Sequence, residues 1–387
     1  MVLEDVCELI ADCPHTTAPD EGKGYPLIRT PNVGKGRLLL EGVHRVSKDI
    51  YDKRNIRAIP QKDDIIFARE APAGNAALIR EGHEVCLGQR TVLIRPDCEK
   101  VFPEYLVYYL LAPEQQYKLL GTANGATVAH VNLPVIRKMP IKLPDIDVQQ
   151  KIAGYISIYD DLIENNQRQI KLLEEAAQRL YKEWFVDLRF PGYEDCEIVD
   201  GVPVEWKKRK LDEIADVIMG QSPKSEFYNK EHKGLPFHQG VGSYGARFVQ
   251  DDTYSTSFTK VAEANSILFS VRAPVGRLNI TKNKIVIGRG IAAINSKSGF
   301  QSYLFYALKE RFFKDDILGN GAIFASISKN ELLNQVFVIP DEKIMSAYEK
   351  IAAALDKKIE VVDMQLQQLV EARDRLLPKL MNGEIEV

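Results

Sequence analysis

Two stretches of the sequence carry core-type residues at alternating steps of four and three positions. In the first stretch, this spacing selects Ile152, Ile156, Tyr159, Ile163, Asn166, Ile170, Leu173, Ala177, Leu180 and Trp184. In the second, it selects Tyr348, Ala352, Leu355, Ile359, Val362, Leu366, Leu369, Arg373, Leu376 and Leu380. A 4-3 spacing is typical of a coiled-coil core, whereas a general amphipathic helix has a wider apolar face. The pattern therefore predicts two long helices, in which Asn166 and Arg373 are the polar exceptions.

Each predicted helix follows a proline that ends a β-like segment. Pro144 precedes the first helix and Pro340 precedes the second, and each is followed by an aspartate. Proline fixes φ, and an acidic residue suits the start of a helix. The two helices most simply pair with each other in antiparallel orientation, as a stiff spacer with a globular domain near each end. The alternative is that each helix packs separately on its own domain. The second helix is expected to weaken near Pro378.

The regions before the two helices have the short apolar runs of mixed α/β domains. Strands are predicted at 64–68, 91–94, 266–269 and 284–287, and helices at 103–120 and 300–317. The expected organisation is a first domain at 1–144, a helix at 145–187, a linker at 188–202, a second domain at 203–340, and a helix with a tail at 341–387. The predicted fold class is α+β, with two similar mixed α/β domains joined and separated by two long antiparallel coiled-coil helices.

The two halves of the sequence are copies of one another. At an offset of 196 residues, Gly125-Ala126-Thr127 matches Gly321-Ala322-Ile323, Pro144 matches Pro340, and Glu175-Ala176 matches Glu371-Ala372. Upstream, Ala71-Pro72-Ala73-Gly74 matches Ala273-Pro274-Val275-Gly276, and Gly88-Gln89-Arg90 matches Gly288-Arg289-Gly290. The order of the blocks is the same in both halves. Two copies of this size indicate a duplicated domain with approximate two-fold symmetry, not a solenoid of short repeats.

Composition and charge narrow the class of protein. Hydrophobic residues make up 45% of the chain and charged residues 27%, and no apolar stretch reaches the length that a membrane-spanning helix needs. Five scattered cysteines without a C-x-x-C pair, and an N-terminus without a secretory signal, favour the cytoplasm. Net charge is +1 for residues 1–144 and +6 for 203–340, but −7 for 145–202 and −3 for 341–387. The globular regions are thus the ones that would attract a phosphate backbone.

Predicted loops of both globular regions carry residues that can pair with base edges in the major groove of DNA. The candidates in the first region are Arg29, Asn32, Arg69, Gln89, Arg90 and Asn124. Those in the second region are Gln239, Tyr244, Arg247, Arg272, Arg277, Arg289 and Asn320. For each of them the alternative is a solvated surface position or a phosphate contact.

Motifs of catalysis or cofactor binding are missing from the sequence. Gly240 to Gly245 matches G-x-G-x-x-G, but it lacks the strand–helix setting of a dinucleotide site. Residues 132–135 and 96–100 only partly match methyltransferase and nuclease motifs, and the six histidines have no metal-ligand spacing. We therefore predict no catalytic, cofactor-binding or metal-binding residue.

Several strings together resemble one protein family. They are DLIENN at 161–166, LYKEWFVD at 180–187, ILFSVRAPVG at 267–276 and RLLPKLMNGEI at 375–385. With the two-fold organisation, these strings resemble the specificity (S) subunit of type I restriction–modification systems over almost the whole chain. The strings that flank the helices are the specific part of the resemblance.

This resemblance implies that each globular domain is a target recognition domain that reads one half of a bipartite, asymmetric site in double-stranded DNA. It implies that the helices dock two methyltransferase (M) subunits, and that restriction (R) subunits join the complex. S-adenosylmethionine, ATP and Mg²⁺ would bind those partners, and this chain would hold no cofactor and catalyse nothing. Two alternatives remain: a stand-alone DNA methyltransferase or nuclease with an unrecognised active site, and a scaffold that does not bind DNA.

Overall fold

The computed structural model describes residues 1–121, 130–313 and 326–387. The chain divides into two compact units. Unit 1 contains residues 1–167 and 363–387, and unit 2 contains residues 168–362. Each unit therefore combines one globular domain with a part of each long helix.

The domain of unit 1 is built on two sheets. Its strands among the described residues are β1 (Cys7–Asp12), β2 (Tyr25–Ile28), β3 (Gly36–Arg37), β4 (Arg45–Val46), β5 (Ile65–Ala68), β6 (Ala76–Leu78), β7 (Cys86–Leu87) and β8 (Thr91–Pro96). Its helices are α1 (Lys48–Arg54), α2 (Pro103–Leu111), α3 (Pro113–Gly121) and α4 (Leu133–Arg137), and the long helix α5 (Ile146–Tyr181) follows. The larger sheet has the order β1-β8-β5-β6-β3, and the smaller has the order β4-β2-β7.

Strand β5 is covered on both faces, and this explains why the sequences of the central strands are continuous apolar runs. Ile65 and Phe67 belong to the core that also contains Tyr105 of α2. Ile66 and Ala68 point to the other face, into a second core beneath the smaller sheet. Because successive side chains of a strand alternate between faces, a strand covered on both sides needs apolar residues at every position.

Unit 2 repeats this arrangement. Its strands among the described residues are β9 (Ile198–Val199), β10 (Val202–Pro203), β11 (Lys207–Lys210), β12 (Ala215–Met219), β13 (Tyr228–Asn229), β14 (Leu235–His238), β15 (Tyr254–Ser255), β16 (Val261–Ala262), β17 (Ile267–Ser270), β18 (Leu278–Ile280), β19 (Ile285–Ile287), β20 (Ile291–Ser296) and β21 (Val336–Ile339). Its helices are α6 (Leu211–Ile214), α7 (Gln301–Phe313) and α8 (Lys329–Leu333), and the long helix α9 (Glu342–Met381) follows.

The strand order of unit 2 confirms the duplication. The order β12-β20-β17-β18 copies β1-β8-β5-β6 of unit 1. In the second sheet, β14 pairs in parallel with β19, as β2 pairs in parallel with β7. This second sheet has the order β13-β15-β14-β19-β16, and two-stranded sheets pair β11 with β21 and β10 with β9. The predicted fold of two similar mixed α/β domains with two long helices is confirmed.

Segments of the two long helices pack against each other within each unit. In unit 1, Ile152 and Ile156 of α5 share a core with Leu377 and Leu380 of α9. In unit 2, Ala177 and Tyr181 of α5 share a core with Tyr348 and Ala352 of α9. The early part of α5 thus meets the late part of α9, and the late part of α5 meets the early part of α9. The paired segments are antiparallel in both units.

All the predicted 4-3 positions of these helices are buried or half-buried. Buried positions are Ile152, Ile156, Ile163, Asn166, Ile170, Ala177, Trp184, Tyr348, Ala352, Ile359, Val362 and Leu380. Half-buried positions are Tyr159, Leu173, Leu180, Leu355, Leu366, Leu369, Arg373 and Leu376. None of the core positions that the heptad spacing predicts is exposed, as a packed pair of helices requires.

Two helix predictions need correction. The segment predicted as one helix at 103–120 is two helices, α2 and α3, because Pro113 starts a new helix and disfavours helical geometry in the residue before it. The expected weakening at Pro378 was wrong, since α9 continues to Met381. A proline removes one backbone donor, and the buried side chains of Leu377 and Leu380 keep this last turn packed. A π-helical turn, Lys182–Val186, follows α5.

In each unit, an aspartate of a long helix is hydrogen-bonded to the globular domain. In unit 1, Asp160 of α5 accepts hydrogen bonds from the Tyr108 hydroxyl at 2.8 Å and from Arg373 Nη1 at 2.9 Å. We call these three residues the Asp160 cluster. The Asp160 side chain is 3% exposed, and burial beside this carboxylate raises the pKa of Tyr108, so the phenol stays a neutral donor.

Unit 2 has the matching Asp356 cluster of Asp356, Tyr306 and Arg247. Asp356 of α9 accepts hydrogen bonds from the Tyr306 hydroxyl at 2.9 Å and from Arg247 Nη2 at 2.5 Å. Asp356 lies 196 residues after Asp160, which is the offset of the sequence repeat. The same acid–phenol contact therefore joins helix to domain in both units.

Candidate nucleic-acid interface

In the domain of unit 1, the parallel pairing of β2 with β7 brings two candidate base-reading residues together. The Gly88 amide donates to the Ile28 carbonyl at 2.7 Å, so the loops that follow the two strands start side by side. Arg29 follows Ile28 and Gln89 follows Gly88. A Cβ atom at Gly88 would lie only 2.8 Å from Arg29 Cγ. Glycine at this position thus lets the two loops approach closely.

The domain of unit 2 has the same arrangement at β14 and β19. The Gly288 amide donates to the His238 carbonyl at 2.8 Å, and the Gly290 amide donates to the Gln239 carbonyl at 3.1 Å. Ser222 links the pair, because its hydroxyl donates to Gln239 Oε1 at 3.1 Å and accepts from the Arg289 amide at 3.3 Å. Gln239 and Arg289 are both exposed. Ser222 was not among the predicted residues.

The two domains carry an exchanged pair of side chains at these positions. In unit 1, arginine follows the first strand and glutamine follows the glycine of the second. In unit 2, glutamine follows the first strand and arginine follows the glycine of the second. Arginine pairs bidentately with guanine and glutamine with adenine. The two faces therefore have different hydrogen-bonding preferences on one backbone frame.

Other candidates in unit 1 surround this pair or support it. Arg90 is exposed, and its Nη1 lies 2.7 Å from Glu70 Oε2. The His130 ring nitrogen Nδ1 lies 2.6 Å from the other oxygen of Glu70. Arg69 is buried, and its guanidinium contacts Asp12 Oδ1 at 3.1 Å, the Val131 carbonyl at 2.9 Å and His130. Glu70 and His130 were missed, because single acids and histidines in loops carry no distinctive spacing.

In unit 1, the two buried candidates have internal partners for their polar side-chain atoms. Arg69 is 7% exposed, and Asn32 is also buried. The Asn32 amide group accepts from the Arg29 amide at 3.1 Å and donates to the Leu39 carbonyl at 3.3 Å. These two side chains therefore hold loops in place. Arg29 and Gln89 are half-buried, and Gln89 donates to the His15 carbonyl at 2.9 Å.

The glycine-rich loop of unit 2 is held by a buried histidine. His238 Nδ1 lies 2.8 Å from Ser243 Oγ, and His238 Nε2 lies 2.9 Å from Asp251 Oδ1. This chain of contacts spans the loop that starts at Gln239, and sequence reasoning did not identify it. Because His238 is fully buried, its contacts serve to position this loop.

The remaining candidates of unit 2 lie in different settings. Arg272 is exposed and forms a β-bridge with Ser326. Tyr244, Arg247 and Arg277 line a pocket beside helix α7, where Arg247 is buried and bonded to Asp356. Burial raises the pKa of Tyr244. Asn124 and Asn320 lie outside the described residues.

The described residues contain neither a candidate metal site nor a candidate membrane-spanning helix. Within 1–121, 130–313 and 326–387, histidine, cysteine, aspartate and glutamate side chains form no group of three that could hold a metal ion. In the same ranges, no helix has both the length and the apolar character that crossing a membrane requires.

Both halves of the chain are similar to one family of known proteins. The type I restriction modification DNA specificity domain matches residues 1–175 and 203–372. A putative type I restriction enzyme MjaX specificity subunit of Methanocaldococcus jannaschii is 30% identical, over 100% of this chain and 93% of that protein. The HindI specificity subunit of Haemophilus influenzae is 23% identical, over 84% of this chain and 87% of that protein.

One solved structure supports the fold. The crystal structure of the type I restriction–modification system S subunit from M. genitalium matches with a TM-score of 0.59 at 17% identity, and the match covers 98% of this chain and 95% of that one. Because the specificity domain matches both halves and nearly the whole chain is shared with a specificity subunit, this protein belongs to the family of DNA specificity subunits of type I restriction–modification systems.

Proposed function

We propose that the chain is the non-catalytic component that selects the DNA target, with one half of a bipartite, asymmetric site read by each domain. The first reader is the domain at 1–144 and the second is the domain at 203–340. The exchanged pair, Arg29 with Gln89 and Gln239 with Arg289, carries this proposal. Two similar frames that carry exchanged readers would select two different half-sites, since each good bidentate contact contributes about 1–3 kcal/mol of base discrimination.

The partners follow from the same proposal. The helical segments at 145–187 and 341–387 dock two methyltransferase subunits, the linker at 188–202 joins the first helix to the second domain, and restriction subunits complete the complex. S-adenosylmethionine, ATP and Mg²⁺ bind those partners, and this chain binds none of them. The relatives support this proposal because they are specificity subunits of type I restriction enzymes. The assembly works on DNA in the cytoplasm.

The proposal is tested by DNA selection with the complex of this chain and its methyltransferase partner. Arg289→Ala should relax the preference in one half-site by roughly 5- to 150-fold, the equivalent of about 1–3 kcal/mol. Gln89→Ala should act on the other half-site only. Arg209→Ala is the matched control, since Arg209 is exposed on strand β11 and paired with Glu213. Equal loss on every sequence would identify Arg289 as a phosphate contact and defeat its role as a base reader.

The non-catalytic role needs a separate measurement. Purified chain without partners is incubated with labelled S-adenosylmethionine and target DNA, and methyl transfer is counted. We expect background counts from the chain alone and turnover after the methyltransferase subunit is added. Turnover by the chain alone would establish the alternative, a stand-alone methyltransferase.

A further inference from the structure

A pocket of about 360 Å³ lies in unit 2 between helix α7, the late part of α5 and the loop after β14. Its polar wall is formed by Glu174, Tyr244, Arg247, Arg277 and Lys309, and Phe305 forms part of its apolar wall. We call this cavity the Arg247 pocket. Three of its side chains are cationic and one is anionic.

Arg247 is the most buried polar group of the pocket. Its side chain is 2% exposed, and its guanidinium lies over the Phe305 ring at 3.8 Å from the centroid. Nη2 donates to Asp356, and Nη1 lies 3.7 Å from Glu174 Oε1, which is too long for a hydrogen bond. Among the described residues, Nε and Nη1 have no hydrogen-bond acceptor. Buried guanidinium donors of this kind favour an anionic acceptor.

The other polar groups of the pocket fit the same ligand chemistry. Burial lowers the pKa of Lys309, the effect expected of an ammonium with too little compensating charge. The Tyr244 hydroxyl is buried and has no hydrogen-bond partner among the described residues. Arg277 is more exposed and adds a third positive charge. A tetrahedral anion could accept from the phenol, the ammonium and the guanidinium groups together.

Unit 1 shows that the fold itself does not require these polar groups. The loops align because the Gly34 amide donates to the Arg37 carbonyl as the Gly245 amide donates to the Phe248 carbonyl. By this match and by the sequence repeat, the equivalents of Tyr244, Arg247, Arg277, Lys309 and Glu174 are Val33, Gly36, Asn75, Leu111 and Val370. All five equivalents are uncharged. The charges of the Arg247 pocket are therefore a feature of the second copy.

We propose that the Arg247 pocket binds a phosphate group. The pocket has the size and the hydrogen-bond donors for a phosphate or a phosphate monoester, with Arg247, Arg277 and Lys309 as the charged contacts and Tyr244 as a neutral donor. The phosphate comes either from a free phosphate compound or from the DNA backbone. The chemistry is the same for both sources, and the experiments below separate them.

The first experiment measures inorganic phosphate binding to the full chain without DNA. Titration calorimetry is run at fixed ionic strength, with chloride replaced by phosphate. Lys309→Leu and Arg277→Asn copy the residues of unit 1, so the fold should tolerate them. Each should weaken binding about tenfold or more, since a hydrogen bond to a charged group contributes about 1.5–3 kcal/mol. Lys224→Leu removes an exposed charge elsewhere in unit 2 and should leave affinity unchanged.

A variant that is expected to bind phosphate more tightly controls for effects of misfolding. Glu174→Gln removes the carboxylate that faces the pocket and competes for Arg247, so phosphate affinity should rise about tenfold. A loss of structure could not produce tighter binding. The proposal is overturned if phosphate gives no heat at millimolar concentration, or if Lys309→Leu and Lys224→Leu bind it equally.

The second experiment identifies the source. If the pocket holds a DNA phosphate, Lys309→Leu and Arg277→Asn should weaken binding to target and scrambled duplexes equally. Each substitution should also reduce the slope of log K against log salt concentration by about one. Free phosphate should then compete with DNA. If the ligand is a free phosphate compound, DNA affinity should stay the same while phosphate binding is lost. Because the first experiment uses no DNA, its outcome does not depend on the proposed half-site reading.

Discussion

The Asp160 cluster of unit 1 and the Asp356 cluster of unit 2 differ in the element that supplies the arginine. In unit 1, Arg373 comes from the long helix α9, and the equivalent position of unit 2 is Ala177. In unit 2, Arg247 comes from the globular domain, and the equivalent position of unit 1 is Gly36. A Cβ atom at Gly36 would lie 3.1 Å from Asp160 Oδ2. The two loops therefore approach their aspartates at the same place.

This difference shows which part of the contact the fold requires. A carboxylate with little solvent around it needs a cation close by, and the two copies place that cation on opposite sides of the aspartate. The more buried member of the ion pair also changes. In unit 1 it is the acid, with Asp160 at 3% and Arg373 at 14% exposure. In unit 2 it is the base, with Arg247 at 2% and Asp356 at 20% exposure.

The largest effect is expected from Asp356→Ala. The substitution leaves the buried Arg247 with only the distant Glu174, and a guanidinium cannot lose its proton to escape the penalty. Removal of one partner of a buried pair costs about 3–5 kcal/mol, so the free energy of unfolding should fall by that amount in urea denaturation. Asp374→Ala is the control, since Asp374 is exposed beside Arg373, and should cost below about 1 kcal/mol. Equal losses of unfolding free energy in Asp356→Ala and Asp374→Ala would contradict the claim that the buried Arg247 depends on Asp356.

A smaller effect is expected for the coupling between Arg373 and Asp160. The single variants Arg373→Ala and Asp160→Asn, and the double variant, form a mutant cycle measured by urea denaturation. A coupling free energy of about 0.5–3 kcal/mol is expected, because the two side chains touch. The matched cycle pairs Arg373 with Asp161, which contacts Arg37 instead, and should be additive within about 0.5 kcal/mol. Additivity in the first cycle would mean that Arg373 does not stabilise the buried acid.

The features predicted from sequence are those that repeat along the chain. The 4-3 spacing located both long helices, and the matched blocks identified the duplication, because helical periodicity and repeated segments are local properties. Arg373 was recognised as an exception in the helix core. Its partner was not predicted, since Asp160 lies 213 positions earlier and only the packed helices bring the two together.

Burial of the candidate DNA contacts depends on distant segments in the same way. Arg69 and Arg247 were selected as loop arginines, but their acidic partners are Asp12 and Asp356. No local pattern distinguishes them from the exposed Arg289. The adjacency of Arg29 and Gln89 follows from the parallel pairing of β2 with β7, two strands separated by more than fifty residues of chain. Residue type suggested the candidate contacts, and sheet topology determines which of them are neighbours.

The smallest expected effect concerns the side chains that cap the domain helices. In unit 1, Gln149 Oε1 accepts from the Phe102 amide at 2.9 Å at the start of α2. In unit 2, the two carboxylate oxygens of Glu349 accept from the Ser302 and Tyr303 amides at 2.9 Å at the start of α7. Burial raises the pKa of Glu349 above its ordinary value of 4.5, whereas a glutamine does not titrate. The capping side chain of unit 2 can therefore lose or gain a proton, whereas the capping side chain of unit 1 is always neutral.

Glu349→Gln should therefore remove a pH dependence from unit 2. A raised pKa means that the folded state holds the proton more tightly than the unfolded state, so this stabilisation is complete below pH 4.5 and is lost as the pH rises through the folded pKa. Relative to the variant, the wild-type chain should lose unfolding free energy as the pH rises above 4.5. At neutral pH the substitution removes one acceptor oxygen but also removes a partly buried charge, so the net change should be about 1 kcal/mol. Glu342→Gln, at an exposed position on the same helix, should leave the pH profile unchanged. If the unfolding free energies of the wild type and Glu349→Gln changed with pH in parallel, the pKa of Glu349 would not be raised by folding and the prediction would be wrong.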